Sequence, residues 1–379
     1  MATDPWGFNI ERQTAARRYR NVRLALSTAR LASVLVVLVW LLTAPTIAIR
    51  NLVGGLGGDP WVVVGGYVLV LSVLLWALGV PFAVVSALVV ERRFGLSTLR
   101  TRMWLRDEAI AAVLGLGFAL FAAEVLWALI RWSATWWWLA AWAIGLGFQI
   151  VVGVVGPILI APLFFRFTPL RDEALAKRLR EMAEAHGVPV VGVFEMKASA
   201  KTRRSNAALA GFGRTRRIIV TDTLLADFTA NEVETVLAHE LAHQRHGDSR
   251  RGLVMGAATA LVGFAVVGIT FPRAAAPLGF ASIADIATLP FLMLLGAAVS
   301  IPLGPLENAF TRRWEAHADA FALGATGKRD AFAAAMVKLH DRNLALANPH
   351  WVVEAMFYSH PSGRRRVARA RESPAGKPY

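Results

Sequence analysis

Two histidines four residues apart, with a glutamate directly after the first, stand in the run His239-Glu240-Leu241-Ala242-His243. On a helix, positions four apart lie one above the other, so both imidazoles can address a single metal ion. Glu240 then sits one step around the helix, where its carboxylate reaches a metal-held water without being a ligand. This H-E-x-x-H spacing is a signature of zinc-dependent hydrolysis. A catalytic zinc takes three protein ligands and keeps a fourth position open. The third ligand has three candidates: His246, His317 and Glu315. His246 shares the helix face but lies roughly 10 Å along the axis from His239, too far for one ion. Glu315 and His317 belong to a separate stretch, as the geometry requires. Asp319, four residues after Glu315, can accept the free ring N–H of a ligating histidine, and this favours Glu315.

These groups need a scaffold. Thr229 followed three residues later by Glu232 reads as a capping box that starts the metal helix, and Val233, Val236 and Leu237 give it an apolar side. A soluble helix is predicted over 171–186, ending at Gly187 with Pro189 beyond. Strands are predicted over 190–197, 205–210 and 217–221, the last two forming a hairpin around Gly211-Phe212-Gly213. An edge strand beside a protease site is a template for an extended peptide, although a purely structural sheet has the same pattern.

The rest of the chain is built for a membrane. Of 379 residues, 56% are hydrophobic, clustered into runs at 24–49, 61–90, 109–132, 136–165, 253–271 and 286–303. Each can cross a hydrocarbon core of about 30 Å. The first is too long for a cleavable signal peptide. The reading is mainly α: about six membrane helices, with a small cytoplasmic α/β portion carrying the H-E-x-x-H helix. Residues 1–165 form an N-terminal membrane region with four spans, and 166–379 a peptidase domain with the remaining two.

The formal net charge is +15, but its distribution argues against nucleic acid as a partner. Arginines crowd the segment before the first span, the loop between the second and third, the segment after the fourth and the C-terminal tail. The alternate loops hold little more than Arg50, Arg131 and Arg273. This is the positive-inside pattern, which puts both termini and residues 166–252 in the cytoplasm, with anionic headgroups as further partners. No compact basic domain with interleaved aromatics appears. The chain has no cysteine, so a metal site must use histidines and carboxylates. Residues 1–13 and 372–379 read as loosely ordered ends.

Several blocks resemble the M48 zinc peptidases of the Ste24 type (CAAX prenyl protease 1). They are VERRFGLSTLRTRMWLRDE, IAPLFFRFTPL, RSNAALAGFGRTRRIIVTDTLL, VLAHELAHQRHGD, TRRWEAHADAFAL and the late SHP, in that order from about Pro81 to the tail. The resemblance implies helices that surround a chamber, with one Zn2+ near the cytosolic side and a peptide or protein as substrate. It implies that His239, His243 and Glu315 are the zinc ligands, Glu240 the general base and Asp319 the carboxylate behind a ligand. Asn206, with Ala207 beside it, falls on the family's substrate-facing edge strand. His360 falls on the late histidine beside the cleaved carbonyl.

There are departures. Where the family's strand usually reads H-S-N-A-Y-F, this chain has Arg204-Ser205-Asn206-Ala207-Ala208-Leu209. The extra N-terminal span of eukaryotic members is also not seen. Neither departure supports specificity for prenylated peptides, and the Ala/Arg-rich composition points to a bacterial cell membrane. Within the same chemistry, the alternative is a broad-specificity protease for damaged membrane proteins. From another class, the alternative is a lipid-binding or transport scaffold with an inert site.

Overall fold

The computed structural model describes residues 2–372 apart from Phe212. It is mainly helical. Six helices among the described residues are long and apolar enough to cross a membrane: Ile10–Leu41, Pro60–Arg93, Thr101–Trp132, Trp137–Phe164, Asp248–Leu278 and Ile286–Thr326. The most apolar 18-residue window of the fourth has no buried residue at all, so lipid is the environment its side chains demand. The helices pack around Tyr67, Trp127, Trp137 and Phe271, all fully or almost fully buried. Two polar handles inside this apolar layer find backbone partners: Trp127 Nε1 donates to the Ala284 carbonyl at 3.1 Å, and Thr46 Oγ1 to that of Ala287 at 2.7 Å.

A four-stranded mixed sheet in the order β1-β2-β4-β3 supports the other layer. Its strands are β1 (Phe167–Pro169), β2 (Gly192–Met196), β3 (Ala207–Ala210) and β4 (Arg217–Thr221). The hairpin pairs β3 with β4 antiparallel and leaves β3 at the edge. Ile218 and Val220 of β4 share one core with Val233, Val236, Leu237 and Leu241 of the H-E-x-x-H helix, Ala230–Arg245. Fully burying a leucine such as Leu241 contributes about 1.5–3 kcal/mol, so the apolar stripe fixes which way the histidines face. The capping box forms as predicted: Thr229 N–H donates to Glu232 Oε2 at 2.7 Å and Glu232 N–H to Thr229 Oγ1 at 3.3 Å.

Three sequence expectations need correction. The first span is not one helix over 24–49: it runs Ile10–Leu41, breaks, and restarts as a short helix, Pro45–Gly54. Proline at the first helical position starts a helix but cannot continue one. Residues 2–9 are docked rather than loose. Phe8 is fully buried, and the Asn9 N–H donates to Asp341 Oδ2 at 2.9 Å. β1, directly after the fourth span, adds a fourth strand to the three predicted. Of the 372–379 tail, only Glu372 lies within the described residues.

The loop after the second span also bears on the site. Thr98 N–H donates to the Lys201 carbonyl at 3.1 Å and Arg203 N–H to that of Leu96 at 2.9 Å. Arg204 Nη2 reaches both Glu91 carboxylate oxygens at 3.0 Å. The membrane region thereby grips the segment that feeds the edge strand.

Candidate active site

The H-E-x-x-H helix lies against the sixth span, and three side chains converge between them. His239 Nε2 is 3.3 Å from His243 Nε2 and 3.1 Å from Glu315 Oε2, and His243 Nε2 is 3.4 Å from Glu315 Oε1. Three donors each about 2.1 Å from one tetrahedral ion stand about 3.4 Å apart. Glu315 Oε2 is buried and makes no hydrogen bond, so its approach to His239 suits two lone pairs converging on one cation. The residues fit a metal. His246 stands aside, its ring edge-on to Phe321 at 5.6 Å, and His317 is exposed.

The far nitrogens are held by carboxylates. His239 Nδ1 is 3.0 Å from Asp319 Oδ1, and His243 Nδ1 is 3.0 Å from Asp248 Oδ2. With a cation bound at the shared point, each contact would keep the ring N–H on the Nδ1 side and turn the Nε2 lone pair to the ion. Asp319 is wholly buried and clamped by Arg366, whose Nε lies 2.9 and 3.1 Å from its two oxygens. A buried carboxylate without such a partner would be strongly destabilising.

Sequence reasoning missed Asp248, Arg366 and Arg312. The metal helix does not run on unbroken: it ends at Arg245, Gly247 adopts φ +69°, and the fifth span starts at Asp248. Glycine takes that left-handed turn at little cost, and the turn brings Asp248 back beneath His243. The signal was present, because Gly247-Asp248 closes the block that holds the histidines. Arg366 was hidden in the arginine run of the tail.

Burial alone would lower the pKa of His239, but Asp319 and Glu315 more than offset it and hold it at about 9. A cation bound by the three residues must therefore displace a proton at neutral pH. Metal uptake should release protons and weaken as pH falls below about 9. Calorimetric titration in buffers of different ionisation heat measures this, and identical heats across buffers would contradict it.

Glu240 lines one pocket with Asn206, His239 and His360. Burial pushes its carboxyl above the usual range, opposed in part by His239 and His243, which suits a group that takes and returns a proton. His360 points Nε2 at Glu315 Oε1 from 3.2 Å, with 55% of its side chain exposed to the cleft. Arg312 Nη1 holds the end of the short helix Trp351–Phe357, which leads to His360, by donating to the carbonyls of Glu354, Ala355 and Tyr358 at 3.1, 3.3 and 2.7 Å.

At the edge strand, the Asn206 carbonyl accepts from Thr221 N–H at 3.0 Å, so Asn206 and Thr221 form a hydrogen-bonded pair. The ladder alternates, and the next pair, Ala207 with Val220, turns its backbone groups outward. Ala207 buries its methyl in the core, so it can meet a substrate only through its backbone.

Residues 169–373 match the family model described as Peptidase family M48. The chain belongs to peptidase family M48. Residues 9–166 of this M48 protein match a second model, described as CAAX prenyl protease N-terminal, five membrane helices. Four of the six long apolar helices fall in that stretch. The chain is 28% identical to the uncharacterized metalloprotease YhfN of Bacillus subtilis, over 80% of this chain and 72% of that one. It is 29% identical to a CAAX prenyl protease 1 homolog of Arabidopsis thaliana, over 76% and 69%. The crystal structure of S. mikatae Ste24p shares its fold with a TM-score of 0.86 at 20% identity, covering 96% of this chain and 90% of that one. This is a Ste24-type, multi-pass membrane metalloprotease whose family implies a bound metal and a peptide or protein substrate.

Proposed function

We propose that this M48 protein is a zinc endopeptidase of the cytoplasmic membrane face, and that the 3.1–3.4 Å spacing of the His239, His243 and Glu315 donor atoms carries this reading. His239, His243 and Glu315 would hold the zinc ion, which would supply Lewis acidity for lowering the pKa of water and polarising the scissile carbonyl. Glu240 accepts the proton of the attacking water and passes it to the leaving amine. His360 donates a hydrogen bond to the developing oxyanion. Asp319 and Asp248 keep the ligand rings in one tautomer, and Arg366 holds Asp319. The substrate lies along β3 as an added strand, bonding to the outward backbone of Ala207 with Asn206 beside it. In this reading residues 1–165 are a membrane region and 166–379 the peptidase part, in a bacterial cell membrane whose anionic headgroups meet the arginine-rich loops.

The test is purification in detergent, metal analysis, and proteomic identification of new peptide termini. Zinc-dependent termini are expected, and zinc without turnover would sink the proposal. His360→Ala should lower kcat about a hundredfold with zinc content and KM nearly unchanged, because its bond strengthens only as negative charge forms. A kcat equal to that of the unmodified protein would make His360 a structural residue. For topology, reporters fused after residue 200 and at the C-terminus should both read cytoplasm; a periplasmic signal at either would overturn the cytoplasmic placement.

A further inference from the structure

We propose that Glu307, in a cavity between the fourth, fifth and sixth spans, is a specificity subsite that binds a basic side chain of the substrate several residues from the scissile bond. The inference rests on the peptidase reading above.

The cavity measures about 610 Å³ and is walled mostly by leucine, valine and glycine. Four polar side chains interrupt that wall: Gln149, Thr259, Ser300 and Glu307. Glu307 Oε1 accepts from Thr259 Oγ1 at 2.7 Å. No basic side chain among the described residues forms an ion pair with it. A carboxylate in a membrane segment is costly and marks a pathway or binding site when it faces a cavity rather than a partner.

Its position ties it to the reaction. Ser300, Gly304, Glu307, Thr311 and Glu315 recur at intervals of three and four, so one face of the sixth helix carries both the cavity wall and the metal ligand. Glu307 lies eight residues before Glu315, roughly 12 Å along the axis, which about four residues of extended chain span. The fifth helix repeats the arrangement, with Asp248 against His243 at its start and Thr259 in the cavity further on.

The donor set selects the ligand. A hard divalent cation wants about six or more oxygens, with two or more carboxylates as a rule. One carboxylate, two hydroxyls and an amide instead suit a single ammonium or guanidinium, the end of a lysine or arginine. An aminolipid headgroup offers the same ammonium from another source, so the assay uses detergent free of such lipid.

The experiment compares zinc-loaded protein with Glu307→Gln on peptides that carry lysine or norleucine at each position three to five residues either side of the cut. At one position lysine should be preferred roughly tenfold or more in kcat/KM, mostly through KM, since a hydrogen bond to a charged group is worth about 1.5–3 kcal/mol. In Glu307→Gln that ratio should fall towards one, while Thr259→Val, which keeps the charge, should retain it. A lysine preference that survives Glu307→Gln overturns the proposal, as does equal cleavage of both peptide sets by the unmodified protein. If Glu307→Gln fails to fold, the preference in the unmodified protein decides. Absence of any hydrolysis by zinc-loaded protein would instead overturn the peptidase reading on which this rests.

Discussion

Glu240→Gln should abolish peptide hydrolysis and leave the metal in place. Glutamine has the shape of glutamate, so the pocket shared with His239 and His360 keeps its form, but an amide cannot take a proton from water. General base and acid catalysis contributes about 10²–10⁴-fold, and in the proposed reaction one side chain serves in both directions. A fall in turnover of about a thousandfold or more is expected, with metal content equal to that of the unmodified protein. Metal analysis of the purified variant decides: loss of stoichiometric metal would make Glu240 a ligand and overturn its assignment.

Glu315→Ala should cost both metal and activity. Its two oxygens stand 3.1 and 3.4 Å from Nε2 of His239 and of His243, so the substitution removes one corner of the proposed site. It also leaves two imidazoles facing each other at 3.3 Å without a carboxylate between them. The loss of metal affinity should exceed the roughly 10–100-fold that removal of an outer carboxylate such as Asp248 costs. His246→Ala is the control, since that ring packs on Phe321 outside the site, and it should change metal content little. A reversed ranking of the two variants would mean the third ligand has been misassigned.

The convergence of His239, His243 and Glu315 was legible in the sequence because it rests on helical period. His239 and His243 are one turn apart, and Glu315 and Asp319 one turn apart on another helix, so each pair shares a face before any tertiary contact is known. The six spans were legible from length and apolarity, and the hairpin from its turn. What stayed hidden depends on chain direction at single residues. Gly247 ends one helix and starts the next, and only the turned chain shows that Asp248 comes back to His243. Arg366 and Arg312 look like any arginine in a basic chain, and their roles come from burial against Asp319 and from three converging carbonyls. The docked N-terminus was missed because its anchors, Phe8 and Asn9, meet residues near His340 and Asp341, more than three hundred positions away.

The most direct measurement is metal stoichiometry and peptide hydrolysis on the same purified sample, before chelation, after it, and after zinc is restored. About one zinc per chain is expected, with hydrolysis lost with the metal and recovered when zinc is returned. Peptide cleavage that persists in chelated, metal-free protein would contradict it.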